Sequence, residues 1–540
     1  MINPLALQAD LWYNTPIMIN IALLTSMLAI YPTPREVTVG DGVFDAADFT
    51  VTKTMDATLG PQAYRLELAD GKVNIAYGDD DGEFYARQTL EQLLAQGGGT
   101  LPNATIADAP AIPLRGVVEG YYGRPWGTKG RCSMMDFMGK NKLNLFVYGP
   151  KDDPYHHTLW REPYPEAQRD DFKLLLDSAR RNHIRLYWAI HLGGGFDAAN
   201  PDDYASLLAK LEDMYAIGIR NFAVFFDDFG EADAAAHARI GNFAISEFLG
   251  RHEGCGPLMV CPNVYWGLGK HQYVKTLGEQ LDASALIVWT GRNVCTDIAA
   301  ADTAKIAAAY RRAPLVWWNW PVNDYCRSHL LIGRTYGLEA KGMGAFMTNP
   351  MENCEASKIG VFGAADWSWN PQAFDSVANW EAAFKRLYPD PEVAKAMRVL
   401  AAHNSDPGQT CMDYRREESV GEWDYAQIAE AMEVLKRKLP METPQLWWEL
   451  EGWIVDLECL AKCALRLEEL AKAKGEMEKR YLEGEIRKLS VVQADNAERH
   501  VAKFQAATFE NDAKLVKPPK SATFAIRPRV EDAASRIKTR

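Results

Sequence analysis

A chain of 540 residues, 47% hydrophobic and 11% aromatic, is long enough for two to four domains with large cores. Its formal net charge of -13 argues against nucleic acid or an anionic membrane surface as a partner. Nine scattered Cys without a CxxC pair, and ten His without an HExxH or HxH spacing, offer no zinc-ribbon, redox or metal motif. Free thiols, no metal site and no cofactor are therefore expected.

Residues 1–30 form an apolar N-terminal segment. Its uncharged run from Ile17 to Ile30 is too short to span a bilayer and has the length of a signal h-region, but no Lys or Arg precedes it. It reads either as the remnant of a signal peptide or as a segment packed on the body. An exported location, periplasmic or extracellular, is favoured over the cytoplasm, and no other stretch could cross a membrane. Residues 31–112 read as a small α+β domain. FTVTKT, YRLELAD and KVNIAYG are its strands, Gly71-Lys72 is a hairpin turn, and a helix runs from Asp81 to Gln96 and ends at Gly97 to Gly99.

From residue 113 to 377 the pattern changes. Eight apolar runs end in polar or glycine residues: LRGVVEGYYG, NLFVYGPKDD, RLYWAIHLGG, NFAVFFDDFG, PLMVCPNVY, ALIVWTGRN, PLVWWNWPVND and GAFMTNPMEN. Helical patterns fall between them, from Gln168 to Arg181, Asp202 to Tyr215, Ala232 to Phe248 and Ala299 to Arg311. Eight strand–helix units in one block predict a closed (β/α)8 barrel of the TIM type. Residues 378–540 read as a helical bundle, with helices from Ala426 to Lys436, Pro444 to Lys474 and Glu476 to Phe504. A frayed basic tail is expected from Pro518.

NFAVFFDDFG is the centre of the pattern: a buried parallel strand ending in Asp227 and Asp228, where such barrels place their chemistry. The alternative is that one Asp caps the helix that follows. The mouth would gather Gly120, Tyr122, Lys151, Asp152, His191, Asp227, Asp228, Tyr265, Thr290, Asn319, Asp324 and Asn349. Carboxylates, amides, a Lys and aromatic walls suit a neutral, hydroxyl-rich ligand, which points to a sugar. Paired carboxylates are the usual tools of glycoside hydrolysis. Neighbours on one strand point to opposite faces, so a nucleophile and an acid side by side would be awkward. A substrate-assisted scheme fits better, with the sugar's own 2-acetamido oxygen as nucleophile. His191 is read as hydrogen-bonded scaffold, Trp318 as core, and Tyr414 to Ser419 as structural.

The motifs RGVVEGYYGRPW, YGPKDDPYH, FAVFFDD, WTG, WWNWPVNDY, TNPME and YRREES closely resemble glycoside hydrolase family 84, the β-N-acetylglucosaminidases that include O-GlcNAcases. The resemblance runs from about Tyr31 to about Ser419. It implies an N-terminal α+β domain, a catalytic barrel and a helical domain. It further implies that Asp227 polarises the acetamido group and Asp228 is the general acid/base. Gly120, Lys151, Asp324 and Asn349 match groups contacting sugar hydroxyls. Tyr265 and Asn319 match residues near the acetamido group, Tyr122, Thr290 and Trp317 match pocket walls, and Val294 matches a residue near the leaving group. The family's CPTEY stands here as CPNVY, Cys261 to Tyr265, followed by WGLG, a departure that bears on leaving-group preference. The implied partner is a GlcNAc-containing glycan or glycoprotein. The competing readings are a glycosidase with an Asp nucleophile and an inactive GlcNAc-binding protein on the same scaffold.

Overall fold

The computed structural model describes residues 28–151, 153–192, 195–228, 230–405, 424–507, 514–523 and 526–538. Most of the 1–30 segment, Asp152 and the Tyr414 to Ser419 stretch lie outside them. The chain divides into two compact units between Ala109 and Pro110.

The first unit is a five-stranded sheet in the order β1-β5-β3-β4-β2. Its strands are β1 (Glu36–Asp45), β2 (Thr50–Met55), β3 (Tyr64–Ala69), β4 (Lys72–Tyr77) and β5 (Thr100–Asp108). The three strands and the helix read from the sequence are present. The β3–β4 turn is Asp70-Gly71, one residue earlier than expected, because both residues take the left-handed conformation that such a two-residue turn requires (φ 50° and 76°). Helix Asp80–Gln96 is capped by Asp79, whose carboxylate accepts the N–H of Gly82.

The second unit is built on a closed barrel of eight parallel strands. These are β6 (Arg115–Glu119), β7 (Leu145–Tyr148), β8 (Arg185–His191), β9 (Asn221–Phe225), β10 (Met259–Cys261), β11 (Leu286–Trp289), β12 (Leu315–Trp318) and β13 (Ala345–Thr348). Each falls within one of the eight apolar runs. The strands are buried on both faces because alternate residues serve two layers. Val118, Val147, Ala189, Ala223, Met259, Val288, Leu315 and Met347 belong to one cluster that fills the barrel. Trp188, Phe222, Trp289, Trp318 and Phe346 are equally buried but lie outside that cluster, among the rings and helices around the barrel. Trp318 is core, as its alternation with Trp317 predicts.

The helices from residue 354 onward pack in the same unit. The last barrel helix, Cys354–Trp369, has no side-chain cap of its own. Glu449, from helix Pro444–Lys472, supplies one: its carboxylate accepts the N–H groups of Glu355 and Ala356 at 3.2 and 3.1 Å. Over its described residues, 518–523 and 526–538, the tail is not frayed. Ser521 N–H donates to Asp456 at 2.7 Å, Arg527 pairs with the same carboxylate, and Ile526 and Val530 of helix Ile526–Lys538 are buried. A basic stretch expected to be frayed thus docks on a buried acid, a pairing 71 residues apart that local pattern does not reveal.

Candidate active site

At the C-terminal end of the barrel the loops after the strands surround a half-open cavity of about 230 Å³. Asp227, Asp228, Gly120, Tyr122, Lys151, Tyr265, Thr290, Val294, Trp317, Asn319, Asp324 and Asn349 all line it. Seven strand ends contribute these side chains, and the eighth, β8, contributes His191 behind Asp227.

The strand carrying the acidic pair stops at Phe225, two residues before Asp227. Asp228 adopts φ 63°, a left-handed conformation that Asp tolerates better than most residues. Having left the strand, the chain no longer alternates, and both carboxylates face the same cavity. The expectation of opposite faces is corrected by this turn. Neither Asp caps the next helix. That helix is Ala234–Phe243, and Asp233 caps it, accepting the N–H of Ala236.

The two carboxylates have different surroundings. Asp227 is interior, its side chain 7% exposed, and Asp228 faces the entrance, its side chain 30% exposed. Lys151, itself 5% exposed, forms an ion pair with Asp227 Oδ2, and its ammonium lies 3.7 Å from Asp228 Oδ2. His191 Nε2 stands 3.3 Å from Asp227 Oδ1. Burial alone would push the Asp227 carboxyl up, but the Lys151 ammonium and the His191 ring hold it well below the usual carboxylate range. Asp228 accepts two phenolic O–H groups, from Tyr122 at 2.8 Å and Tyr265 at 2.9 Å. Burial first, and then Asp228 among the nearby charges, pushes both phenols well above their ordinary range, so both stay donors. Asp227 is therefore a fixed negative charge, and Asp228 is aimed by two phenols at the cavity mouth.

The rest of the lining is arranged around a small polar ligand. Asp324 accepts the backbone N–H of Tyr122 at 3.0 Å, and Arg327 donates to the Tyr122 carbonyl at 2.6 Å. No helix starts at Tyr325, so Asp324 is not a cap. Asn319 is held by three hydrogen bonds: its Oδ1 accepts from Trp317 Nε1 and Asn349 Nδ2, and its Nδ2 donates to the Val294 carbonyl. Asn349 is buried, and its Oδ1 has no hydrogen-bond partner among the described residues. A buried acceptor of this kind on a cavity wall calls for a ligand donor such as a sugar hydroxyl. Gly120 is required where it stands, because a Cβ there would collide with the Trp317 ring.

Sequence reasoning did not single out Cys261, Cys295, Val322 or Tyr325, which also line the cavity. Their types carry no chemical signal, and only their neighbours in the chain pointed there. Of the turn before Pro154, Lys151 belongs to the site. Asp153 is structural, accepting O–H groups from Tyr148 and Tyr164 and the N–H of Tyr155. Among the described residues no three His, Cys, Asp or Glu side chains are grouped as metal ligands.

A β/α barrel with adjoining carboxylates of unlike environment in a sugar-sized cavity defines a site of the glycoside hydrolase class. Residues 115–402 match the model of the beta-N-acetylglucosaminidase family, and residues 45–109 match that of glycosyl hydrolase family 20, domain 2. The chain belongs to the β-N-acetylglucosaminidase family, in agreement with the motifs of glycoside hydrolase family 84. It is similar to Protein O-GlcNAcase of Rattus norvegicus and of Mus musculus, 31% identical over 274 residues in each case. Those matches cover 47% of this chain and 30% of each relative, so the chain spans less than a third of the relatives' length. Among solved structures, that of CpGH84B shares the fold at a TM-score of 0.80 and 23% identity, over 94% of this chain and 100% of that one. An O-GlcNAc hydrolase mutant from Thermobaculum terrenum does so at 0.62 and 20%, over 79% and 96%.

Proposed function

We propose that the protein is an exo-acting β-N-acetylglucosaminidase that removes terminal β-linked GlcNAc with retention of configuration, using the acetamido group of the substrate as nucleophile. The observation that carries this reading is the division of labour between the two acids. Asp227 is buried and ionised against Lys151 and His191, while Asp228 stands at the mouth between two phenols.

In this reaction the acetamido carbonyl oxygen of the bound sugar attacks the anomeric carbon. Asp227 accepts the acetamido N–H and balances the positive charge that spreads over the closing oxazoline ring. Asp228 gives its proton to the departing glycosidic oxygen as that bond breaks. It then takes a proton from the water that opens the oxazoline from the face of departure, so two inversions leave the configuration unchanged. Lys151 has three N–H donors, so it can hold Asp227 and still reach a sugar hydroxyl. Asp324, the Asn349 Oδ1 and the Gly120 backbone supply the other hydroxyl contacts, and Trp317 closes one wall. A pocket lined from every side suits a chain-end sugar. The relatives named O-GlcNAcase support GlcNAc on a protein hydroxyl as one substrate; terminal GlcNAc on a glycan meets the same pocket.

The test is a pair of nitrophenyl glycosides. The β-GlcNAc derivative should release nitrophenol, and the β-glucoside, which lacks the acetamido group, should be nearly inert. Comparable turnover of both would refute the acetamido nucleophile, and turnover of neither would leave a sugar-binding protein.

A further inference from the structure

The sequence assigned His191 to the scaffold, and the reaction above gives it no step of its own. Its position says more. His191 closes β8 and pairs in register with Phe225, the last residue of β9 before the acidic pair. The side chain is fully buried, and its Nε2 lies 3.3 Å from Asp227 Oδ1, short of hydrogen-bond alignment, while Lys151 holds Oδ2. The ring is itself braced edge-on by His157, with centroids 4.7 Å apart. His156, one residue earlier, is anchored between the carbonyls of Pro150 and Ala189, at 2.7 and 3.1 Å, next to Lys151 in the chain. Burial keeps both His156 and His157 neutral, near pKa 4, so His156 donates to one of its two carbonyls and neither ring adds charge beneath the site.

A carboxylate turns easily about its last torsion, which has broad minima. An ammonium is a point charge on a flexible stem and does not fix the plane of its partner. A planar donor on a strand, locked by a second ring, does. We infer that His191 is a positioning residue: its Nε2, 3.3 Å from Oδ1 in the free site, closes to a hydrogen bond when the acetamido group is bound and so sets the rotation of the Asp227 carboxylate that presents one oxygen to the acetamido N–H. This rests on the proposed function, in which Asp227 is the acetamido-holding group.

Two amide substitutions separate position from packing. In His191→Gln the amide nitrogen falls near the place of Nε2 and keeps the donor. In His191→Asn it is one carbon short and loses Asp227. Titration with GlcNAc-thiazoline, an oxazoline mimic, counts folded sites, so kcat can be expressed per site even if a variant folds poorly. His191→Asn should lose about 100-fold in kcat per site at nearly unchanged KM, since misplacement of a reacting partner by about 1 Å can cost that much. His191→Gln should recover most of the loss. Wild-type kcat per site in His191→Asn, equal losses in the two variants, or a loss confined to the number of folded sites would each overturn the inference. With wild type active on the GlcNAc glycoside and Asp227→Asn crippled, those outcomes leave the reading of Asp227 intact. A wild-type protein indifferent to the acetamido group removes that reading and this inference together.

Discussion

Asp228→Asn should lose activity in proportion to how poor the leaving group is. On alkyl or peptide-linked GlcNAc the departing oxygen needs its proton in the transition state, and the loss should be about 10²–10⁴-fold, the usual worth of general acid–base catalysis. On a dinitrophenyl glycoside, whose phenolate leaves unaided, the first step should be nearly normal and the deficit should fall on the hydration of the oxazoline. One phenol can still donate to the new amide's oxygen while the other turns its O–H away and accepts the amide N–H, so the variant should fold as wild type does. The measurement is kcat/KM across a series of aryl and alkyl leaving groups. A steeper dependence on leaving-group pKa in the variant supports the role, and parallel lines would contradict it.

Asp227→Asn should behave differently on both counts. Its loss should be about 10²–10³-fold, the scale for removing one preorganised electrostatic contact, and should vary little with leaving group. It should also destabilise the fold. Removing one partner of a buried ion pair costs about 3–5 kcal/mol. The lower end is expected here because Asp228 remains 3.7 Å from the Lys151 ammonium. Denaturant melts of the two variants check this: only Asp227→Asn should shift the midpoint. The pH dependence follows from the directions of the shifts. Asp227 is depressed in the fold, so its stabilisation is present above the unfolded value of about 4 and is lost as pH falls toward the folded value. Lys151 is raised, burial opposing and Asp227 favouring its charge, so its share is present below about 10.4 and is lost only as pH climbs past the folded value. Between these limits the pair should add no slope to stability, and Asp227→Asn should flatten the acid limb.

The barrel was legible because each strand is buried on both faces and each run breaks off into polar or glycine residues. What was missed has physical causes. Helix Cys354–Trp369 is buried around its whole circumference, so it shows no amphipathic period. Helix Gly127–Lys140 begins without a side-chain cap. Strand Thr100–Asp108 contains Pro102 and Asn103, which dilute its alternation. For the cavity, the residue types and loop positions were readable, and with the family's motifs they located twelve of the sixteen lining residues. Three-dimensional pairing was not. Lys151 was read as a sugar contact, and the fold seats it on Asp227, 76 positions away. The left-handed turn at Asp228, which brings both acids to one cavity, has no signature in a two-residue acidic motif.

The central claim is that the nucleophile belongs to the substrate and not to the protein. It is tested most directly by incubating the enzyme with a ring-fluorinated N-acetylglucosaminyl fluoride, which slows breakdown of any intermediate, and weighing the peptide that carries Asp227 and Asp228. Turnover with retained configuration and a peptide of unchanged mass are expected. A stable glycosyl adduct on either aspartate would contradict it and make that residue the nucleophile.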